Sequence, residues 1–325
     1  MVQALLLSQL ASVNPALTAC LRETSEYLRA PGATRLSEEQ RALALGIARR
    51  LVGDAADMLD GAVDSRALWD DWSAQGLPGA AQLAGLCFAR AEEHRWREQS
   101  AEHGSEVAVP MMVAAAEGPL AAPTPADDPL SEVDRRYLAL RIADRRRFDA
   151  LGHPGIAIDD LDPDLFRSLL LDIAAWALVQ SGKDPAQAVR LGEAVRGALA
   201  LHDPERGIDR AAIAYYAALA NVGAQSDSAV AAIARHDWPA LIALAAAAQK
   251  YLYADMALAL ITAEPAQLAP LLAPLLRDHA ALAPLEGSLA MLTNRAVASA
   301  APDDYAAALQ ARAAMLGGEP EGGAR

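Results

Sequence analysis

The chain has 325 residues, a formal net charge of -14, a pI near 4.8, only 5% aromatic residues and two cysteines. That acidic excess argues against a nucleic-acid partner, which would need clustered Lys and Arg to neutralise phosphates, and against an anionic membrane surface. Cys20 and Cys87 are too few for a disulfide framework, and the apolar stretches at 240–248 and 268–276 fall short of the roughly 20 residues that cross a bilayer, so no transmembrane segment is expected.

The runs are dominated by Ala and Leu, which hold helices, rather than by the β-branched and aromatic residues that strands prefer, and the expected class is all-α. Helix starts are written repeatedly as a capping side chain followed by proline, at Asn14-Pro15, Asp128-Pro129, Asp162-Pro163, Asp184-Pro185 and Asp203-Pro204. The Asp or Asn oxygen accepts from a first-turn N–H, while proline lacks a donor where none is needed and holds φ near its helical value.

Taken in order, a first helix should run from Pro15 to about Arg29 and stop at Pro31-Gly32. Ser37 and Gln40 then make a capping box, opening a helix that carries Leu43, Ile47, Leu51 and Met58 at helical spacing before Gly61. A short helix is expected near 67–74 and another from Gly79 to about Glu98, which together make residues 1–98 an N-terminal helical bundle. Residues 99–128, with Pro110, Pro119, Pro123 and Pro125, read as a Pro/Ala-rich linker whose one apolar patch is Val107 to Val113.

Helices follow from 129 to 316, with starts at Asp128, Asp162, Asp184, Asp203 or Asp209, Asp227, Asp237, Glu264, near Pro284 and at Pro302, and stops at Gly152, Gly182, Gly207 and Gly223. The 34 residues from Asp128 to Asp162 and the 41 from Asp162 to Asp203 match one helix pair of an α-solenoid, so a C-terminal array of antiparallel helix pairs is expected. Residues 317–325 read as a disordered tail. Within the second helix, Glu38-Glu39-Gln40-Arg41-Ala42-Leu43 and Ala48-Arg49-Arg50-Leu51-Val52 resemble the start of an uncharacterised family of bacterial all-helical, HEAT-like proteins. The resemblance implies a helical-repeat protein and no particular activity.

Several constellations were weighed for chemistry. His202-Asp203 and His236-Asp237, with His279 downstream and His153 upstream, have the composition of HD-type metal phosphohydrolases, in which histidines and a His-Asp pair gather divalent metals. His202-Asp203 runs straight into Pro204 and His236-Asp237 lies two residues from Pro239, however, so Asp203 and Asp237 are expected as helix caps and the histidines in turns. Asp54, Asp57, Asp60 and Asp64 could form a diphosphate-binding stripe like that of polyprenyl synthases, but no Asp-Asp-x-x-Asp run is present and a solvated face is expected. Asp160, Asp162 and Asp164 open like a calcium loop that then fails at Leu165 and Leu171.

His94, within Glu92-Glu93-His94-Arg95-Trp96-Arg97, is the candidate for histidine phosphotransfer, but Arg97 and Glu98 stand where such domains carry Lys and Gly, and an exposed helix end grading into the linker is expected instead. The densest basic segment, Arg135-Arg136 with Arg141 and Arg145-Arg146-Arg147, alternates with Glu132, Asp134, Asp144 and Asp149 and reads as an amphipathic helix with a solvated face, which could also dock an acidic partner. The tryptophans are expected in the core or at an interface. Leu17-Thr18-Ala19-Cys20 has the form of a lipobox, but no basic residue precedes it in Met1-Val2-Gln3, so a cytoplasmic protein is expected over a lipoprotein anchored at Cys20. The resulting expectation is a non-enzymatic scaffold that binds another protein and uses no cofactor. The alternative is a helical signalling or hydrolytic enzyme working through His94 or through His202, His236, Asp237 and His279.

Overall fold

A computed structural model of the chain describes residues 14–112 and 130–297, apart from residues 31, 33, 34, 60, 62 and 277 and the side chains of 102–112 and 279. Among these residues the protein is all-α, with thirteen α-helices and an isolated bridge between Phe148 and Pro154. The helices are α1 Pro15–Arg29, α2 Glu38–Asp57, α3 Ser65–Gln75, α4 Ala80–Met112, α5 Glu132–Arg145, α6 Pro163–Gln180, α7 Pro185–Leu201, α8 Ile208–Val222, α9 Gln225–Ala234, α10 Trp238–Gln249, α11 Tyr253–Thr262, α12 Pro265–Leu272 and α13 Ala283–Met291. Short 3-10 turns occupy Ile158–Asp160, Pro204–Arg206 and His279–Leu282.

The caps explain most of these starts. Asn14 accepts from the Leu17 N–H at 3.0 Å, Asp162 from those of Asp164 and Leu165, and Asp184 from that of Ala186. Both halves of the capping box at α2 form, with the Gln40 N–H on Ser37 Oγ at 3.1 Å and the Ser37 N–H on Gln40 Oε1 at 3.0 Å. Of the two starts expected here, Asp203-Pro204 opens only a 3-10 turn, and α8 begins after Gly207 at Ile208, next to Asp209. There the cap comes from elsewhere in the chain: Asp160 Oδ1 accepts the Ile208 N–H at 2.7 Å. Gly207 is required by proximity, since a Cβ on it would stand 2.7 Å from the Asp159 carbonyl oxygen. Similarly α9 starts at Gln225 rather than at Asp227. The starts expected at Asp128 and Pro302, the segment 113–128 and the tail 317–325 lie outside the described residues.

Helix α4 departs furthest from the sequence reading. Expected to end near Glu98, it continues to Met112, and it packs against α1, α2, α11 and α13. Its apolar residues enter three hydrophobic clusters. Leu83, Ala84, Cys87 and Ala91 join α2, α3, α6 and α7; Phe88 and Ala89 meet Leu17 and Leu258; and Trp96 joins α5, α8 and the helices that follow. Contacts of this kind connect helices far apart in sequence, unlike repeats that touch only their neighbours. No described helix is long and apolar enough to cross a membrane.

Candidate functional site

From Cys87 to Trp96 every residue of α4 is buried, although the stretch includes Arg90, Glu92, Glu93, His94 and Arg95. The exposed helix end anticipated around His94 is therefore interior. Charges at such depth are tolerated only when paired and hydrogen-bonded, and here two networks do this on different faces of the helix. On one, the Arg95 guanidinium donates to Glu92 at 2.8 Å, to Glu39 at 2.8 Å and to the Thr293 carbonyl at 3.0 Å, while Gln40 Nε2 donates to Glu92 at 3.0 Å.

On the other face Glu93 is the hub. Arg147 donates to its two oxygens at 3.1 and 2.7 Å, Tyr253 Oη donates at 3.1 Å and Arg97 at 3.2 Å. Arg97 also forks onto both oxygens of Asp144, at 2.8 and 2.9 Å. Arg90 donates to the carbonyls of Gly155 and Arg147, and its guanidinium lies 4.5 Å from the centroid of the Phe148 ring. Burial by itself would raise the Glu93 pKa, but Arg147, Arg90 and Arg97 outweigh it and hold the carboxyl well below the usual range. Arg147 is correspondingly raised by Glu93, against the opposing effect of burial. With Asp160 beside Arg147, three arginines face three acids. Asp144 and Arg147, expected on a solvated face of α5 and beyond, are thus core residues; Arg135 and Arg136 do lie on the solvated face and pair with Glu132 as the spacing implied.

The histidines separate into different surroundings. His94 packs edge-on to Phe148 with ring centroids 6.1 Å apart, its Nε2 lies 3.3 Å from Glu98, and burial together with Arg90 and Arg97 pushes its pKa down to about 4. His202 Nε2 lies 3.1 Å from the Ile158 carbonyl, with the ring against Phe166. Asp203 caps the Pro204 turn, and His153 pairs with Asp149. His279 sits in the 3-10 turn before α13. Among the described residues no three His, Cys, Asp or Glu side chains converge as a metal set. Of the aspartates considered from sequence for metal, Asp64 caps α3 and Asp160 and Asp162 cap α8 and α6, while Asp60 lies outside the described residues. Cys20 is half-buried on α1 and Cys87 fully buried on α4, burial raising their pKa values to about 11 and about 12.

His236 and Asp237 are different, because they stand at an open cleft of about 530 Å³ lined also by Arg97, Ser100, Tyr137, Arg141, Arg235 and Trp238. Asp237 is the N-cap of α10, as expected, and also accepts from Tyr137 Oη at 2.6 Å and Arg141 Nη1 at 3.0 Å. Burial and this bond push Tyr137 up to about 12. His236 is exposed in the left-handed region at φ 55°, and its ring stacks on Trp238 at 5.0 Å, which in turn stacks on Trp96 at 4.8 Å. The left-handed backbone is uncommon for a non-glycine residue and fixes the imidazole at the mouth of the cleft.

Ser100 and His236 are shared with an adjoining hollow of about 270 Å³, lined by Gln99, Pro284, Gly287, Ser288 and Met291. At the junction, Trp96 Nε1 donates to Ser288 Oγ at 2.8 Å; Ser100 Oγ donates to the Trp96 carbonyl at 2.7 Å, which leaves Ser288 as the donor in the 2.7 Å Ser288–Ser100 bond. The cleft is only partly signalled by sequence: His236, Asp237, Arg97 and Arg141 stand out there, but for other chemistries. Arg235, Tyr137 and Trp238 carry no motif that would have joined them.

No family model matches the chain, and no curated protein and no solved structure is similar to it. The HEAT-like resemblance of the α2 segment accordingly reduces to an all-helical protein without a family assignment.

Proposed function

We propose that this chain is a non-enzymatic helical protein that binds another protein, and that the cleft formed by α4, α5 and the start of α10, together with the adjoining hollow, is its recognition site. The observation that carries this reading is the contrast in how charge is used. The dense charges of α4 are closed on one another in the interior, whereas Arg235, His236 and the outward part of Arg141 stand in an open groove beside an apolar hollow. Concave sites with a mainly apolar wall and a few placed polar groups are the usual form of recognition sites. The outer face of α5 extends the surface with Leu138 and Ile142, both about half exposed. The enzymatic alternative draws no support from His94, which is buried and held neutral, or from His202, whose ring nitrogen is engaged by a backbone carbonyl.

The test is a photo-reactive phenylalanine placed at Met291, in the hollow, or at Leu171, on the exposed face of α6, followed by irradiation of the cells that make the protein. A polypeptide adduct at position 291 and none at 171 is the expected result. Adducts at 171 with none at 291 would place recognition elsewhere and overturn the assignment.

A further inference from the structure

Resting on that reading, we infer that the occupant of the cleft is an acidic segment of the partner polypeptide, with a carboxylate on Arg235 and Arg141 and a neighbouring apolar side chain in the Pro284, Gly287 and Met291 hollow. Among the arginines of the cleft, Arg97 is already paired with Asp144 and Glu93, and Arg141 gives one N–H to Asp237. Arg235 is exposed, and its Nε bonds only the Ala231 carbonyl of its own helix; no carboxylate among the described residues pairs with it. Among the described residues the other donors of its guanidinium meet no carboxylate, and their fork geometry suits one.

Asp237 demonstrates what the site accepts. Its carboxylate is held at this position by an arginine, a tyrosine hydroxyl and the Ala240 N–H at the start of α10, where the helix end favours negative charge. A second carboxylate arriving at the remaining donors of Arg141 and at Arg235 meets the same chemistry. Trp238 lines the cleft as a nearly buried aromatic wall, 1% exposed. The hollow beyond His236 accounts for the apolar part of the segment, because Pro284, Gly287 and the half-exposed Met291 offer it no charge.

A phage-displayed library of random dodecapeptides panned on the full chain gives the probe, and fluorescence polarisation of the selected peptides measures binding to wild type, Arg235→Glu and Arg196→Glu. Arg196 is an exposed residue of α7, so both variants change the net charge equally. The expected result is enrichment of Asp or Glu next to a large apolar residue, affinity weakened at least about tenfold by Arg235→Glu, and little change with Arg196→Glu. Equal thermal midpoints for the three proteins verify that the fold is intact.

Selected peptides without acidic enrichment, or with affinity indifferent to Arg235, would overturn the inference while leaving the interaction reading in place. Failure to select any peptide would overturn it too, and joined to the absence of a crosslinked polypeptide at position 291 it would remove both. Inorganic phosphate binding at Arg235 more tightly than any selected peptide would overturn it in favour of a small anion.

Discussion

Residues 87–96 of α4 and 238–246 of α10 are each buried without a break, and they arrive there by opposite chemistry. The α10 segment is almost wholly apolar, from Leu241 to Ala246 without one polar side chain, so its burial needs only neighbours that fill space. The α4 segment brings five ionisable residues inside and neutralises them with partners drawn from α2, the loop after α5 and α11. Helix α10 is thus held by close packing, whereas α4 is held by a small number of specific pairings. Loss of one partner should therefore injure the two regions differently.

The largest expected effect is at Glu93. Glu93→Ala leaves Arg147 and Arg90 buried without their carboxylate, and should cost about 3–5 kcal/mol in urea denaturation. In α10, Leu241→Ala creates a cavity instead and should cost about 2–4 kcal/mol with no dependence on pH between 5 and 8. A pH-dependent loss at Leu241 would blur the distinction between the two regions.

Asp255 in α11 sharpens it from the other side, as a buried acid outside the α4 networks. One oxygen of Asp255 has no hydrogen bond among the described residues, and burial together with Asp209 raises its pKa from the ordinary 3.8 to about 7. The folded chain thus binds this proton more tightly than the unfolded chain does. The resulting stabilisation is complete below the ordinary carboxylate range and is lost as pH rises through about 7. Asp255→Asn should then raise stability at pH 8 by roughly 1–3 kcal/mol and change it far less at pH 4. The smallest effect belongs to the helix starts: Asp184→Ala removes the bond to the Ala186 N–H and should cost about 1 kcal/mol, read as a lower thermal midpoint.

Much of the fold was legible because its signals are local. Asn14, Ser37 with Gln40, Asp162, Asp184 and Asp237 each act through an N–H two or three residues away, so their sequence context suffices. Where a cap comes from a distant segment, as Asp160 does for α8, the sequence leaves the start open between Asp203 and Asp209. The same reason hid the burial of α4. Glu92-Glu93-His94-Arg95 is indistinguishable from a solvated helix end until Arg147, Tyr253 and Glu39, between 54 and 160 residues away, are brought against it. The cleft was legible only in pieces, because His236 and Asp237 stood out as a His-Asp pair while the arginines and tryptophan around them are joined by tertiary packing alone.

Whether mutual pairing holds the interior charges of α4 is decided by a double-mutant cycle on Glu93→Gln and Arg147→Met. If pairing holds them, the double variant should be more stable than the summed losses of the single variants imply, with a coupling of about 2 kcal/mol. Single effects that add to within about 0.5 kcal/mol would show that the two side chains contribute independently, and would contradict it.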